Sequence, residues 1–278
     1  MKNKKLCCYI KKIIALIIIM TIYFQINIKQ KTIRIMPIGD SITNGMAIIG
    51  SYRKYLYNLL TKDGYSIKMV GPILSNKILN FKDENENITY EASHCGYPGY
   101  TVKSDGVQNG IMNTVQDNDY LNKYNPDIII LMIGTNDVKT NLEVENIINN
   151  LKDFLLYIKN NTKTNSIIFV SSIPPLDSNS KIGYGMFNRI RKDKDDKKRT
   201  DMEVKTLVDK KVNDYNICIK ELVNKLRKDW KNIYFSDLFS IIPNADTFLY
   251  DGVHPNEKAH KLIGGYLYRQ LNSILLTI

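Results

Sequence analysis

Histidine, cysteine and tryptophan are scarce: three, four and one among 278 residues. Four cysteines are too few for a disulfide scaffold, and no two stand at zinc-ligand spacing; Cys7-Cys8 is a bare doublet. Neither His94 nor His260 stands at i,i+4 with another histidine or an acid, so no metal site is expected. There is no Pro- or Ser-rich linker and no internal repeat, hence no visible appended module. Acids are missing from residues 1–31, which carry Lys2, Lys4, Lys5, Lys11, Lys12, Lys29 and Lys31. Setting those seven lysines apart, the net charge of +11 falls to +4 for the body. So mild a charge gives no reason to expect a nucleic-acid partner.

What is present is ordinary globular chemistry, 44% hydrophobic and 24% charged, with room for one generous domain over 32–278. Ahead of it, a lysine-rich start leads into a short apolar run from Ile13 to Phe24. A basic stretch followed by about 7–15 apolar residues describes a secretory signal, whereas a spanning helix needs about 20. Nothing like Ala-x-Ala follows, so residues 1–31 are expected to be either a signal peptide or an uncleaved anchor. The expected location is outside the cell or on its surface. In an oxidising compartment Cys95 and Cys218 are free to pair.

Strands alternate with helices along the body. Ile33 to Ile38 reads as a first strand, Tyr52 to Leu60 as a helix closed by Gly64, and Ile67 to Gly71 as a second strand. Residues 72–93 look polar and irregular. Asp127 to Ile133 is a continuous apolar run, the pattern of a strand buried on both faces. Val144 to Ile158 is helical, Ser166 to Ser171 a fourth strand, Val204 to Trp230 helical and Ile233 to Phe235 a fifth strand. A closing helix runs from Asn256 to Leu275, with Pro255 expected at its first turn. This order predicts an α/β/α sandwich on a mostly parallel five-stranded sheet, with its site beyond the carboxyl ends of the strands. Residues 176–203 form a charged insertion, and Arg189 to Arg199 within it reads as a solvated loop.

Four short blocks fall where that sheet rule puts chemistry. Gly39-Asp40-Ser41-Ile42-Thr43 follows the first strand, and a tight turn there would lift the serine hydroxyl above the sheet. Serine is too weak an acid to attack unaided, and Asp251-Gly252-Val253-His254-Pro255 offers a base with a carboxylate three positions away. Gly99, in His94-Cys95-Gly96-Tyr97-Pro98-Gly99-Tyr100-Thr101, and Asn136, in Gly134-Thr135-Asn136-Asp137, suit an oxyanion hole. Taken singly, each block also has an ordinary turn or cap reading.

In this order the blocks GDSIT, GYPGYT, IGTND and DGVHP resemble the GDSL-like, or SGNH, hydrolase superfamily from about Ile33 onward. The resemblance implies a flavodoxin-like sandwich and ester hydrolysis without metal or cofactor. It assigns Ser41 as nucleophile, Asp251 and His254 as its partners, and Ser41 N–H, Gly99 N–H and the Asn136 side chain as oxyanion donors. MPIGDSITNG, SYRKYLYNLL, MVGP, HCGYPGYT, DIIILMIGTND, IPP, Tyr215-Asn216 and DGVHPN are similar to carbohydrate esterase family three, the acetylxylan esterases. Two departures stand out: Cys95 replaces a usual acid, and 176–203 is longer than the family loop. The implied substrate is acetylated xylan or a related polysaccharide, acted on by a monomer. Tyr52, Tyr97 and Tyr100 are candidates to stack on its sugar rings. The rival readings are a lipase- or phospholipase-type acyl hydrolase of the same superfamily and a tethered, non-catalytic polysaccharide-binding protein.

Overall fold

The computed structural model describes residues 13–14, 31–74, 77–83 and 86–276, so the expected signal or anchor lies almost wholly outside the described residues. No helix among the described residues is long and apolar enough to cross a membrane.

From Ile33 the chain lays down β1 (Ile33–Gly39), a short α1 (Ser41–Asn44), α2 (Ser51–Lys62) and β2 (Ile67–Met69). A hairpin follows, β3 (Ile78–Asp83) with β4 (Glu86–Glu91), then the two-residue β5 (Cys95–Gly96). The helices α3 (Ile111–Asp117) and α4 (Tyr120–Tyr124) lead to β6 (Ile128–Met132), a short α5 (Thr135–Val138) and α6 (Val144–Asn160). Next come β7 (Ile167–Ser171), a single 3-10 turn at Tyr184–Phe187, α7 (Asp201–Leu226) and β8 (Ile233–Ser236). The chain closes with α8 (Leu238–Ile241), α9 (Ala245–Phe248) and α10 (Glu257–Leu275).

The sheet is parallel throughout, in the order β2-β1-β6-β7-β8, with β5 paired to the end of β1. Parallel strands need helices across both faces, and their side chains must then be apolar on both. The five residues of β6 are all buried, and they divide by parity. Ile129 and Leu131 join a core with Phe154 of α6 and Val208 of α7. Ile128, Ile130 and Met132 join another with Leu56 of α2 and Leu267 of α10. Gly264 makes the α2–α10 contact possible, because a Cβ there would stand 2.6 Å from Tyr55 Cβ.

The winding order of the strands, not their direction, reverses between β1 and β6, which makes their carboxyl ends the switch point where such sheets open a crevice.

Three expectations need correction, and the state of the two body cysteines, open above, can be added. Residues 72–93 are not irregular: six residue pairs join β3 to β4, with Ile88 and Tyr90 turned inward while Asn87 and Thr89 stay exposed. Pro255 is not in the closing helix, because the Asn256 side chain takes the N-cap and accepts from Ala259 N–H at 3.2 Å. Cys95 and Cys218 are both free thiols, the first buried in the α6–α7 core and the second half-buried on α7. The charged run is not wholly solvated either, since Ile190 and Arg191 are buried and anchor it.

Candidate active site

Gly39 ends β1 so close to β6 that a Cβ would lie 2.1 Å from Met132 O. Asp40 then caps α1, its Oδ1 accepting from Ile42 N–H at 2.9 Å. Burial raises the Asp40 carboxyl above its ordinary range, against the pull of that amide and of Lys139. Ser41 is therefore the first helical residue, and its N–H is one of the helix's uncommitted donors.

The loop after α9 brings the other two polar groups to Ser41. Asp251 Oδ1 accepts from the amides of Val253 at 3.0 Å and His254 at 2.8 Å. Its Oδ2 stands 2.7 Å from His254 Nδ1, and His254 Nε2 stands 2.8 Å from Ser41 Oγ. Gly252 turns the loop at φ 87°, in a space where a Cβ would lie 2.3 Å from Asp177 O. Burial by itself would lift the Asp251 carboxyl, but the His254 ring and the two amides hold it below the usual range. An ionised Asp251 fixes the proton on Nδ1, which leaves the Nε2 lone pair facing the serine hydroxyl.

The other histidines are differently placed. His94 Nδ1 accepts from Gly96 N–H at 3.0 Å, and burial beside Arg53 pushes its pKa down to about 2. His260 is pushed down to about 3 by burial, then by Lys54, Arg53 and His254. Both stay neutral and buried behind the site.

Beyond β5 the chain is tied to β1 by Tyr97 N–H, which donates to Gly39 O at 3.0 Å. Gly99 follows at φ 80°, with nothing within 4 Å of where a Cβ would stand. Among the described residues, neither its amide nor that of Ser41 has a hydrogen-bond acceptor. Asn136 on α5 gives one amide hydrogen to Tyr100 O at 2.8 Å and keeps the second. Gly134 before it sits at φ 117° against the Tyr215 ring, so a Cβ would be 2.3 Å from that ring. Asp137 fixes the facing loop, with both carboxylate oxygens 3.1 Å from Val102 N.

Of the three tyrosines, Tyr52 is fully buried, and its hydroxyl lies 3.2 Å from Thr43 Oγ1. It supports α1 from beneath and has no exposed face to offer a sugar ring, which corrects the expectation that it stacks on substrate. Tyr97 and Tyr100 stack on each other with centroids 4.8 Å apart, half-buried at the loop's edge.

Sequence reasoning gave no role to three groups around this site. Arg53 is buried and donates to the carbonyls of Thr43, Asn44 and Ala92. Tyr215 donates to Ile133 O at 2.9 Å. Gln108 donates to Gly99 O at 2.8 Å. Tyr215 and Arg53 stand in the stretches that carry the family-three likeness, which pointed to them without assigning a role, and Gln108 carried no signal.

A parallel sheet that carries a hydrogen-bonded Ser–His–Asp array beyond its carboxyl ends has the arrangement of a serine hydrolase. The chain belongs to the GDSL-like lipase/acylhydrolase family, whose model matches residues 35–267. It is 36% identical over 250 residues to a multidomain esterase of Ruminococcus flavefaciens. That match takes in 88% of this chain and 29% of the relative, so the chain spans under a third of that protein's length. A Clostridium thermocellum family 3 carbohydrate esterase has the same fold, with a TM-score of 0.63 at 27% identity over 89% of this chain and 98% of the other. A carbohydrate esterase family 3 structure from Talaromyces cellulolyticus gives 0.62 at 19% identity, over 88% and 99%, a likeness of fold alone.

Proposed function

We propose that the protein is a secreted serine esterase that removes O-acetyl groups from xylan or a related plant polysaccharide. The observation that carries the chemistry is the unbroken line from Ser41 Oγ through His254 to Asp251, at 2.8 and 2.7 Å. The likeness to family 3 carbohydrate esterases supports the acetyl substrate, and the lysine-flanked apolar run supports export.

In this reading Ser41 Oγ attacks the acetyl carbonyl as its proton passes to His254 Nε2. The carbonyl oxygen becomes an oxyanion, met by the Ser41 and Gly99 amides and by the second Asn136 amide hydrogen. Collapse breaks the bond to the sugar oxygen, which takes the proton back from His254 and leaves an acetyl group on Ser41. A water molecule repeats the sequence, losing its proton to His254 and releasing acetate. Asp251 holds the ring in one tautomer and steadies the imidazolium in both halves. Tyr97 and Tyr100 offer an aromatic edge to a sugar ring beside the Gly99 loop.

Acetate release from acetylated xylan, run beside hydrolysis of a long-chain ester, tests this. Release of acetate with slow long-chain turnover is expected. Preference for the long chain would make the protein a lipase-type hydrolase, and inertness toward both would favour a binding role.

A further inference from the structure

The charged segment 176–203 reaches the Gly99 loop through one side chain. Arg189 Nη2 meets Asp105 Oδ2 at 2.7 Å across 84 positions of sequence, and Nη1 donates to Gln108 Oε1. Gln108 passes the connection on, its Nε2 donating to Gly99 O at 2.8 Å. Asp105 shapes the same loop from within, its Oδ1 accepting from Val107 N–H at 2.9 Å and Gln108 N–H at 2.7 Å.

Gly99 has particular need of such a tether. It has no side chain, open space stands where a Cβ would be, and its φ of 80° is one of several that glycine can adopt. The turn closed by Tyr100 N–H on Tyr97 O at 3.3 Å sets the peptide that carries its N–H, and no side-chain packing braces that turn. The bond to its carbonyl holds the next peptide and so limits how far the turn can swing. The far end of the chain of contacts is equally firm: Arg191, two residues on, is buried and donates to Ser178 O at 2.9 Å and Asp201 Oδ1 at 2.6 Å. The segment also abuts the acid end of the site, since a Cβ on Gly183 would lie 2.0 Å from Asp251 O.

We propose that Arg189 and Gln108 are positioning residues that aim the Gly99 amide at the developing oxyanion. The segment 176–203 then spans the site, backing Asp251 at one end and orienting the oxyanion loop at the other. This inference rests on the esterase reading above.

Gln108→Glu separates positioning from simple loop anchoring: it keeps, and strengthens, the contact to Arg189 but removes the donor to Gly99 O. On a small acetyl ester, Gln108→Glu and Arg189→Ala should each lower kcat about 5- to 20-fold with KM little changed. That is a fraction of the ~10²–10³-fold effect of deleting an oxyanion donor outright. Arg189→Lys should recover part of the loss, because its charge still reaches Asp105. The double variant Arg189→Ala/Gln108→Ala should be no worse than either single, since both act through one contact. Amide hydrogen exchange over residues 99–108 should quicken in Arg189→Ala, and equally so in a Ser41→Ala background. That measurement reads the tether whether or not Ser41 performs the chemistry, so loss of the esterase reading and loss of this one are told apart. Full kcat in Gln108→Glu, or exchange unchanged by Arg189→Ala, would overturn the proposal.

Discussion

Arg53 donates from Nε to the carbonyl oxygen of Thr43 at 2.8 Å, from a side chain that is 1% exposed. The same guanidinium holds Ala92 O at 2.7 Å and Asn44 O at 3.1 Å, so it ties the turn after Ser41 to the exit of the β3–β4 hairpin. Burial lowers its pKa to about 10, partly offset by Tyr52 and Tyr90, so it stays charged at neutral pH. Arg53→Ala strands the carbonyls of Ala92 and Asn44 and leaves Thr43 O with Ser51 Oγ alone, at 3.3 Å, and each acceptor left without a donor costs about 1–3 kcal/mol. Chemical denaturation should show a loss of about 2–6 kcal/mol, with Arg53→Lys recovering less than half because it lacks the fork. A loss under about 1 kcal/mol would mean that water replaces the guanidinium.

That residue marks the limit of what the sequence could convey. The sheet was legible because Ile128–Met132, buried on both faces, has to be apolar at every position, and Ile167–Ser171 nearly so. The order of the blocks was legible because Ser41 and Asn136 each follow a strand directly. Arg53 and Lys54 were not, because charge on a helix reads as solvated and nothing local reveals that their acceptors are distant in sequence. The β3–β4 hairpin hid its period of two under Asn80, Lys82, Asn87 and Thr89, since one polar face made the segment look like a loop. Tyr52 fell on the buried side of α2, which helical spacing alone does not distinguish from the side lining a cleft. Arg189 sits in a run of alternating charge whose partners, Asp105 and Gln108, lie more than 80 positions away.

A pH-dependent stability follows from Asp137. Burial pushes its carboxyl up to about 7, against the Val102 amide and with help from the nearby Asp40 and Asp105 charges. The folded protein thus keeps a proton that the unfolded chain has already released near the ordinary value of 3.8. Its contribution to stability is full below that lower value and is lost as pH rises toward about 7. Asp137→Asn removes the titration and retains an acceptor for Val102. Between pH 5 and pH 8 the wild type should lose about 2–3 kcal/mol relative to Asp137→Asn in urea unfolding. Parallel pH profiles for the two proteins would show that Asp137 is already ionised at pH 5.

Ser41→Ala should abolish esterase activity and leave a folded protein. The hydroxyl packs into no core, and losing its bond to His254 costs on the order of 1 kcal/mol. An organophosphonate should add its mass to the wild type at Ser41 and leave the alanine variant unmodified. Labelling at another serine, or turnover in Ser41→Ala, would end the assignment.

Asn136→Ala separates stabilisation of the oxyanion from proton transfer. It removes one of three donors while Ser41, His254 and Asp251 remain in place, and it frees Tyr100 O from its 2.8 Å bond. Losing one such donor costs on the order of 10²–10³ in kcat, about 3–4 kcal/mol. The loss should fall on kcat and spare KM, because the charge it serves exists only near the transition state. His254→Ala should be worse, since it stops proton transfer in both half-reactions. The two together should cost less than their sum, as groups that act in one step are not additive. A raised KM with kcat intact in Asn136→Ala would instead make Asn136 a residue that binds substrate or holds the Tyr100 turn.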